Sequence, residues 1–206
     1  ELVAAKGLVT VPHLPAMFSE PVPGTRTLTY KQAINEAFHQ EMQRDECVIL
    51  LGEDVSRIGG IFGLTQGLRD AFGEARVRDT PISEGVISGC GVGAALCGLR
   101  PIVEIQLFDF VSLMMDSIVN QAAKARFMLG GETKVPFVFR GPQGAGIRLA
   151  AQHCQSLEAW FAHIPGLEVY IPSTAYGAKG FMISAIRSAA PGVDLEHKLM
   201  YLGAEQ

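Results

Sequence analysis

One glutamate in this chain stands where a short polar turn leads into a long run of small and apolar residues. The turn and the glutamate form the run Asp79-Thr80-Pro81-Ile82-Ser83-Glu84, and small residues then fill positions 85–98. Because a residue before proline avoids the helical conformation, a helix is expected to begin after the turn. A carboxyl group at such a helix start, in apolar surroundings, is suited to proton transfer. The helix dipole alone also favours an acid there, so Glu84 has a structural explanation as well.

Three further candidates follow apolar runs that the pattern predicts as buried strands. Glu53 comes just after the run 47–51, and Gln106 ends the run 101–106, with Phe110 four residues later. In open α/β sheets, ligands bind beyond the carboxyl ends of the strands. An aromatic ring at that edge can stack on a flat heterocycle. Ordinary strands also end in polar residues, so the positions alone do not assign a role.

A glycine-rich stretch, 141–146, leads towards His153 and Cys154, directly before a predicted short helix. Such loops are typical of the lip of an active site. A lone histidine is more often structural than chemical. In an extended segment, neighbouring side chains point to opposite sides, which argues against a nucleophilic Cys-His pair.

Two other patterns have simpler explanations than the chemistry they resemble. Residues 89–94 fit the glycine fingerprint of dinucleotide-binding folds, but the strand that must precede it is missing. Glycine and alanine there are expected to let a helix approach a neighbour closely. The four cysteines form no C-x-x-C pair, which argues against a zinc knuckle or redox motif. Cys90 and Cys97 are expected to pack in the core.

Helical and strand-like segments alternate along most of the chain. Apolar residues recur at helical spacing from Ala33 to Met42, with Thr29 as the expected cap. Further helices are predicted at 109–128, 157–164 and 175–187, and strands at 47–51, 101–106, 135–140 and 167–171. This alternation predicts an α/β fold, a doubly wound and mostly parallel sheet with helices on both faces. Gly192 and Asp194 interrupt the apolar face of the run 191–196, so that strand is predicted to be weak or at an edge.

Composition narrows the class of protein. Of 206 residues, 48% are hydrophobic and 18% charged, which favours a buried parallel sheet together with subunit interfaces. The net charge of -4 argues against a nucleic-acid partner. No apolar run reaches the roughly 18 residues that span a bilayer, so no membrane association is expected. Residues 1–27 are predicted to be an irregular arm that is too poor in arginine for an intact mitochondrial presequence, and residues 28–206 one domain.

From about residue 28 to residue 201, these motifs resemble the β subunit of the thiamine-diphosphate-dependent 2-oxoacid dehydrogenases. In that family, the glutamate of the Asp-Thr-Pro-Ile-Ser-Glu signature contacts the pyrimidine ring and helps to remove a proton from the thiazolium carbon. The resemblance implies that Glu84 and His153 are catalytic, with His153 facing the substrate and the arriving lipoyl group. It also implies a pyrimidine pocket in the thiamine-diphosphate fold. Its residues would be Glu53, Ile82, Ser83, Glu84, Gln106 and Phe110.

The resemblance further implies partners. The chain lacks the family's Gly-Asp-Gly…Asn motif for magnesium and the diphosphate tail, so an α subunit is expected to hold both, and no metal ligand is assigned to this chain. A second β subunit and a lipoyl acyltransferase core are also expected. The family's C-terminal domain would begin soon after Tyr201, and it is expected to be absent from this chain. Ser188 and Ala190 stand where relatives carry potassium-binding side chains, which argues against that ion here.

The expected activity is oxidative decarboxylation of a 2-oxoacid, above all pyruvate, with acyl transfer to a lipoyl arm. Bacterial cytoplasm and the mitochondrial matrix both fit, since the cysteine pattern suits a reducing compartment. Two alternatives remain open. One is the β subunit of an acetoin dehydrogenase, which shares every motif above. The other is a truncated, non-catalytic assembly or regulatory subunit.

Overall fold

A six-stranded parallel sheet organises the molecule. The computed structural model describes residues 27–205, so the predicted arm at residues 1–27 lies almost entirely outside the described residues. The strands are β1 (Leu28–Thr29), β2 (Val48–Gly52), β3 (Val77–Asp79), β4 (Arg100–Glu104), β5 (Val138–Gln143), β6 (Glu168–Tyr170), β7 (Gly192–His197) and β8 (Ala204–Glu205). The large sheet has the order β3-β2-β4-β5-β7-β6, and all of its pairs are parallel. Strands β1 and β8 form a separate antiparallel pair.

Helices cover both faces of this sheet. They are α1 (Tyr30–Arg44), α2 (Leu68–Phe72), α3 (Glu84–Leu96), α4 (Ala123–Met128), α5 (Glu158–Ala162) and α6 (Ala175–Arg187). Alternate residues of the strands enter two different cores: Leu51 and Val103 belong to the core under α3, and Leu50 and Ile102 to the core under α1 and α6. This alternation is that of strands buried on both faces. The predicted doubly wound α/β class is confirmed.

Helix α1 begins where the sequence predicts it. The Thr29 hydroxyl accepts a hydrogen bond from the backbone N–H of Gln32 at 3.2 Å, and the Gln32 side chain accepts one from the Thr29 N–H at 2.9 Å. This reciprocal capping box satisfies two of the backbone donors that a helix start leaves free. Helix α6 also matches the predicted range of 175–187.

The prediction of a weak or edge strand at 191–196 is wrong. Strand β7 lies inside the sheet between β5 and β6, and Gly192 to Glu196 are all buried. The polar side chains of this strand are buried within the sheet instead of exposed to solvent: Glu196 bonds to Arg140 of β5, and Asp194 pairs in register with the same arginine. Gly192 lies close to Tyr170, since a Cβ atom there would come within 3.2 Å of the Tyr170 ring.

Two other predictions about local structure need correction. The single helix expected at 109–128 is three consecutive pieces: a 3-10 helix (Phe108–Met114), a π-helix (Asp116–Ala122) and α4. Cys90 and Cys97 are exposed, so they do not pack in the core. They lie on or just after the side of α3 that faces away from the sheet.

The glycine-rich run 89–94 lies inside α3, which excludes a strand-to-helix phosphate turn at this place. The expected close approach is confirmed at Gly91, where a Cβ atom would lie 2.5 Å from Val103 and 2.7 Å from Phe137. Within residues 27–205, no helix is long and apolar enough to cross a membrane. The same residues contain no group of three or more His, Cys, Asp or Glu side chains placed to hold a metal ion.

Candidate functional site

The predicted site residues gather at the carboxyl edge of the sheet. Gly52, the last residue of β2, pairs in register with Asp79 of β3 and with Glu104 of β4. The segments that follow these three strands therefore start at the same level. They carry Glu53, the turn into α3, and Gln106 with the 3-10 helix.

The turn before Glu84 is held by backbone donors. The Asp79 carboxylate accepts hydrogen bonds from the N–H groups of Ser56 at 2.6 Å and Arg57 at 3.2 Å. The Thr80 N–H donates to the Gly52 carbonyl at 2.9 Å. These bonds tie the turn to the loop after β2, and so they fix where α3 begins.

Glu84 is the first residue of α3 and is half-buried. Ser83 occupies the cap position, but its side chain makes no capping hydrogen bond, and its carbonyl instead accepts from the N–H groups of Val86 and Ile87. Ile82 is 81% exposed. The turn therefore places one acid at a helix start beside an apolar side chain that nothing within the described chain covers.

Glu53 lies close enough to Glu84 for the two carboxyl groups to interact. Burial raises the pKa of Glu53, and the negative charges of Glu84 and then Asp54 raise it further. Asp54 adopts the left-handed conformation, with φ of 58°, and its carboxylate accepts a hydrogen bond from the Gln106 amide at 3.2 Å. A pair of neighbouring acids, one with a raised pKa, is an arrangement that can exchange protons with a bound base.

Phe110 and His153 form the other half of the site. Their rings meet edge to face, with centroids 5.3 Å apart and an interplanar angle of 81°. Both rings are half-buried. The 3-10 helix that carries Phe110 also reaches the start of α3, because a Cβ atom on Gly85 would lie 3.2 Å from the Leu113 carbonyl oxygen. The helix that carries Phe110 and the helix start that carries Glu84 are thus neighbours.

The loop that carries His153 runs from the end of β5 to α5. Gln143 holds its far end: the Gln143 side chain accepts a hydrogen bond from the Leu157 N–H and donates one to Glu158, both at 2.9 Å. The Gly144 N–H donates to the Gln155 carbonyl at 2.8 Å. Gly144 has a φ of 88° and lies against the His197 ring, so no larger residue fits there without a shift.

Sequence reasoning missed two residues that touch this loop. Asp109, which is 8% exposed, accepts hydrogen bonds from the backbone and side-chain N–H groups of Gln155, both at 3.0 Å. Lys198, which is 1% exposed, donates to the His153 carbonyl at 2.6 Å. In the sequence, each of them is a charged residue soon after a predicted strand. Many surface residues have the same position, so this pattern is only a weak indication of a role.

A buried ionic cluster under the site was also missed. Arg140 of β5 bonds to Glu104 of β4, to both carboxylate oxygens of Glu196 of β7, and to the Tyr201 hydroxyl. Burial raises the pKa of Glu104, and Arg140 opposes that rise. Burial alone would lower the pKa of Arg140, but the surrounding Glu196, Tyr201 and Glu104 raise it. The guanidinium therefore stays charged and joins three strands.

An arginine from another part of the chain binds the segment around residues 186–190, where no potassium site is expected. Arg100 donates from one guanidinium nitrogen to the carbonyl oxygens of Ile186 at 2.8 Å and Ser188 at 3.0 Å. The absence of that ion stays a prediction, and these contacts give it a physical reason.

The structure thus brings together most of the predicted residues. The carboxyl groups of Glu53 and Glu84 lie near each other, and the rings of Phe110 and His153 are in contact. Gln106 bonds to Asp54, the neighbour of Glu53. The side chains of Ile82 and Ser83 are not drawn into these contacts. Two surface cavities of about 400 and 290 Å³ lie beside Arg57 and do not include Glu84. Since Ile82 is exposed and Glu84 is only half-buried, the site on this chain is an open half-site, and the roles of its residues remain predictions.

The chain matches a family model and several curated proteins. Residues 26–202 match the family model described as "Transketolase, pyrimidine binding domain". Among curated relatives, the chain is 48% identical to "Pyruvate dehydrogenase E1 component subunit beta" of Rhizobium meliloti, over 85% of this chain and 38% of the relative. It is 48% identical to "Acetoin:2,6-dichlorophenolindophenol oxidoreductase subunit beta" of Cupriavidus necator, over 85% of this chain and 55% of the relative.

A mitochondrial relative is nearly as similar. The chain is 46% identical to "Pyruvate dehydrogenase E1 component subunit beta, mitochondrial" of Saccharomyces cerevisiae, over 86% of this chain and 48% of the relative. The chain thus spans about half or less of the length of most of these relatives. One solved structure, "Split gene transketolase, inactive beta4 tetramer", matches with a TM-score of 0.66 and 16% identity, over 83% of this chain and 51% of that chain. That likeness supports the fold alone.

Proposed function

Since the chain belongs to the family of transketolase pyrimidine-binding domains, we propose that it is the pyrimidine-binding part of a thiamine-diphosphate-dependent 2-oxoacid dehydrogenase, in the β subunit. The reaction is oxidative decarboxylation of a 2-oxoacid, most often pyruvate in the relatives' names, with acyl transfer to a lipoyl group. The single observation that carries this proposal is the half-buried Glu84 at the start of α3, with the raised pKa of Glu53 beside it.

The residues present fit the pyrimidine half of thiamine diphosphate. A flat heterocycle with basic nitrogens needs an aromatic face and a carboxyl group, and neighbouring helices carry Phe110 and Glu84. When bound, thiamine diphosphate supplies a nucleophilic carbon for the 2-oxo group and an electron sink for decarboxylation. The diphosphate and its magnesium need other ligands, and no metal cluster is present within residues 27–205. An α subunit is proposed to supply them.

The chain's own groups divide the work between them. Glu84 would hold a proton at a pyrimidine nitrogen, which is the proton that activates the cofactor. Glu53 and Gln106, which follow β2 and β4, would orient the ring, and Ile82, Ser83 and Phe110 would help to line its pocket. His153, held edge to face against Phe110, exchanges protons on the substrate side.

The open form of the site supports assembly with other chains. Ile82 and Val86 are 81% and 62% exposed beside Glu84, and apolar surface at that level is typical of an interface core. We propose an α subunit over this face, a second β subunit in the same assembly, and a lipoyl acyltransferase core as the acceptor. Bacterial and mitochondrial relatives both exist, so bacterial cytoplasm and mitochondrial matrix both fit.

Acetoin cleavage is the second candidate. The acetoin-oxidising relative is as similar to this chain as the first pyruvate dehydrogenase relative, at 48% identity each. Decarboxylation of pyruvate and cleavage of acetoin can share the same activated cofactor, so the residues of the half-site favour neither. Reconstitution with α subunits and assays on pyruvate, branched 2-oxoacids and acetoin separate the two.

The test of the proposal is Glu84→Gln. Glutamine keeps the shape of the side chain but cannot donate a proton, so the rate of thiazolium proton exchange in the reconstituted enzyme is expected to fall by on the order of 10²–10⁴. Deuterium exchange followed by NMR measures it. Glu132→Gln, at an exposed position outside the site, is the matched control.

A second readout of the same variant needs no cofactor. Removing the charge of Glu84 is expected to lower the pKa of Glu53 towards its ordinary value, although burial keeps part of the rise. An unchanged exchange rate in Glu84→Gln would overturn the proposed role. An unchanged pKa of Glu53 would show instead that the two carboxyl groups are not neighbours.

A further inference from the structure

The loop that carries His153 is closed by a backbone hydrogen bond from Gly144 to Gln155, but its middle has an unfavourable backbone conformation. Between β5 and α5, Arg148 and Ala150 both adopt left-handed backbone angles, with φ of 58° and 62°. Neither is a glycine, and each such residue costs about 1–2 kcal/mol. Residues 151–156 include no helix or strand. Contacts from other elements therefore add to the Gly144–Gln155 bond in holding the backbone at His153.

Two buried charged residues supply such contacts at adjacent points. Lys198, directly after β7, donates from Nζ to the carbonyl oxygen of His153 at 2.6 Å. Asp109, in the 3-10 helix after β4, accepts at Oδ1 from both N–H donors of Gln155 at 3.0 Å. Together they bind the segment 153–155 from the connections that follow two different strands, β7 and β4.

The two side chains are buried and lie near each other. Burial lowers the pKa of Lys198, and the nearby Asp109 carboxylate and then Cys154 oppose that effect. Lys198 is 1% exposed and Asp109 is 8% exposed, so water does not readily replace a hydrogen bond that either of them loses. The second Asp109 oxygen is buried without a hydrogen-bond partner, so the side chain bonds through Oδ1 alone, to Gln155.

We propose that Asp109 and Lys198 are positioning residues that set the place of the His153 imidazole by clamping the backbone of residues 153–155. The clamp sets the edge-to-face contact of His153 with Phe110, because the two rings are carried by the clamped loop and by the helix of Asp109 itself. This deepens the role of His153 in the proposed function and rests on it. The placement of the ring is a property of the chain alone.

The test compares four variants of the 206-residue chain. Lys198→Met removes the donor but keeps an unbranched stem, and Asp109→Ala removes the acceptor. Lys198→Arg and Asp109→Asn are conservative partners that keep a donor or an acceptor oxygen. Lys179→Met, which removes a lysine paired with Glu36 between α6 and α1, is the matched control.

Two measurements report on the clamp without any cofactor. The His153 ring protons are expected to lose their ring-current shift from Phe110 in Lys198→Met and Asp109→Ala. The Cys154 thiol is expected to react with iodoacetamide on the order of tenfold faster, because the segment opens once a charge-assisted hydrogen bond is lost. Peptide mass spectrometry separates Cys154 from the exposed Cys90 and Cys97. The conservative variants and the control are expected to stay near the parent chain.

Unchanged His153 shifts and Cys154 rates in folded Lys198→Met and Asp109→Ala would overturn the clamp. If one of them fails to fold, the other and the two conservative variants still decide the outcome. In the enzyme reconstituted with an α subunit, the clamp predicts a lower kcat/KM for the 2-oxoacid with unchanged thiazolium proton exchange, and recovery in Lys198→Arg. Failure of Glu84→Gln to slow that exchange would count against the proposed function and not against the clamp.

Discussion

The buried carboxyl groups of this chain differ in whether they have hydrogen-bond partners. Glu196 is bound by Arg140 and Tyr201, and Glu104 is bound by Arg140. Asp194, which lies in the same strand as Glu196 and is 1% exposed, has no hydrogen-bond partner at either oxygen. Burial raises its pKa well above the ordinary 3.8, the charge of Glu196 raises it further, and Arg140 opposes both. Asp194 is therefore protonated in the folded chain at pH values where the unfolded chain has lost that proton.

This difference predicts a pH-dependent loss of stability. The folded chain binds one more proton than the unfolded chain between the unfolded pKa and the raised folded pKa of Asp194. The contribution of protonated Asp194 to the free energy of unfolding is therefore fully present below the unfolded pKa. It is lost as pH rises from the unfolded pKa to the folded pKa, by up to about 1.4 kcal/mol per pH unit. Asp194→Asn, which cannot ionise, is expected to remove this part of the slope. Urea unfolding of both proteins at several pH values above 4 measures it.

The neighbouring charged groups set the control for that measurement. Glu196, Arg140 and Tyr170 lie near Asp194 and remain in both proteins, so their contribution to the slope is shared. Equal slopes in the parent chain and in Asp194→Asn would show that Asp194 is ionised in the folded state.

Among the glycines of α3, Gly91 lies closest to its neighbours in the core. Gly91 faces Val103 of β4 and Phe137, both of which are fully buried. Gly93, one half-turn later, faces open space. The same helix thus contains a glycine that the packing requires and one that it does not. Since α3 begins at Glu84, its seating on the sheet also places the proposed catalytic acid.

Alanine at these two positions is expected to act in opposite directions. Gly91→Ala overpacks the core by about 1–3 kcal/mol, which exceeds the gain of about 1 kcal/mol in helix propensity, so the free energy of unfolding falls. Gly93→Ala has no neighbour to displace and is expected to raise that free energy by up to about 1 kcal/mol. Chemical denaturation of both variants measures the difference, and equal effects would contradict the close approach at Gly91.

Local patterns predicted the elements whose signals are local. The Thr29 cap and the range of α6 followed from spacing and capping chemistry alone. The π-helix did not, because the apolar spacing of 109–128 also fits an ordinary helix. Strand β7 was misjudged because the partners of its polar face are distant in sequence, with Arg140 lying 56 residues before Glu196.

The candidate site shows the same division. Parallel strands end at a common edge, so the grouping of Glu53, Glu84 and Gln106 could be expected from the positions of the predicted strands. The contact between Asp109 and Gln155 joins residues 46 positions apart through two connections of irregular shape. No periodicity encodes it, and only the folded arrangement reveals it.

At the scale of the whole molecule, one ionic cluster connects the middle of the sheet. Arg140 joins β4, β5 and β7 and reaches Tyr201, beyond the last large strand. Arg140, Glu104 and Glu196 are each at most 4% exposed. Two carboxylates share one guanidinium, so the cation is what makes their burial tolerable. The cluster lies directly under the residues that carry the site, and its loss is expected to disturb the whole strand edge.

Arg140→Met tests this dependence. It leaves two carboxylates buried without their cation, and it is expected to lower the free energy of unfolding by about 3–5 kcal/mol at neutral pH. The difference in the free energy of unfolding between Arg140→Met and the parent chain is expected to shrink as pH falls. At lower pH the unpaired acids are protonated in the folded state, because burial raises their pKa values, and the neutral acids cost less to bury. Replacing Glu104 and Glu196 by glutamine in the same chain is expected to restore part of the stability, since no unpaired charge of this cluster remains buried.

The control is Arg69→Met, which breaks the exposed pair with Glu74 and is expected to cost at most about 1 kcal/mol. Arg140→Met with the same stability at every pH, or no recovery in the triple variant, would show that the sheet does not depend on this charge balance.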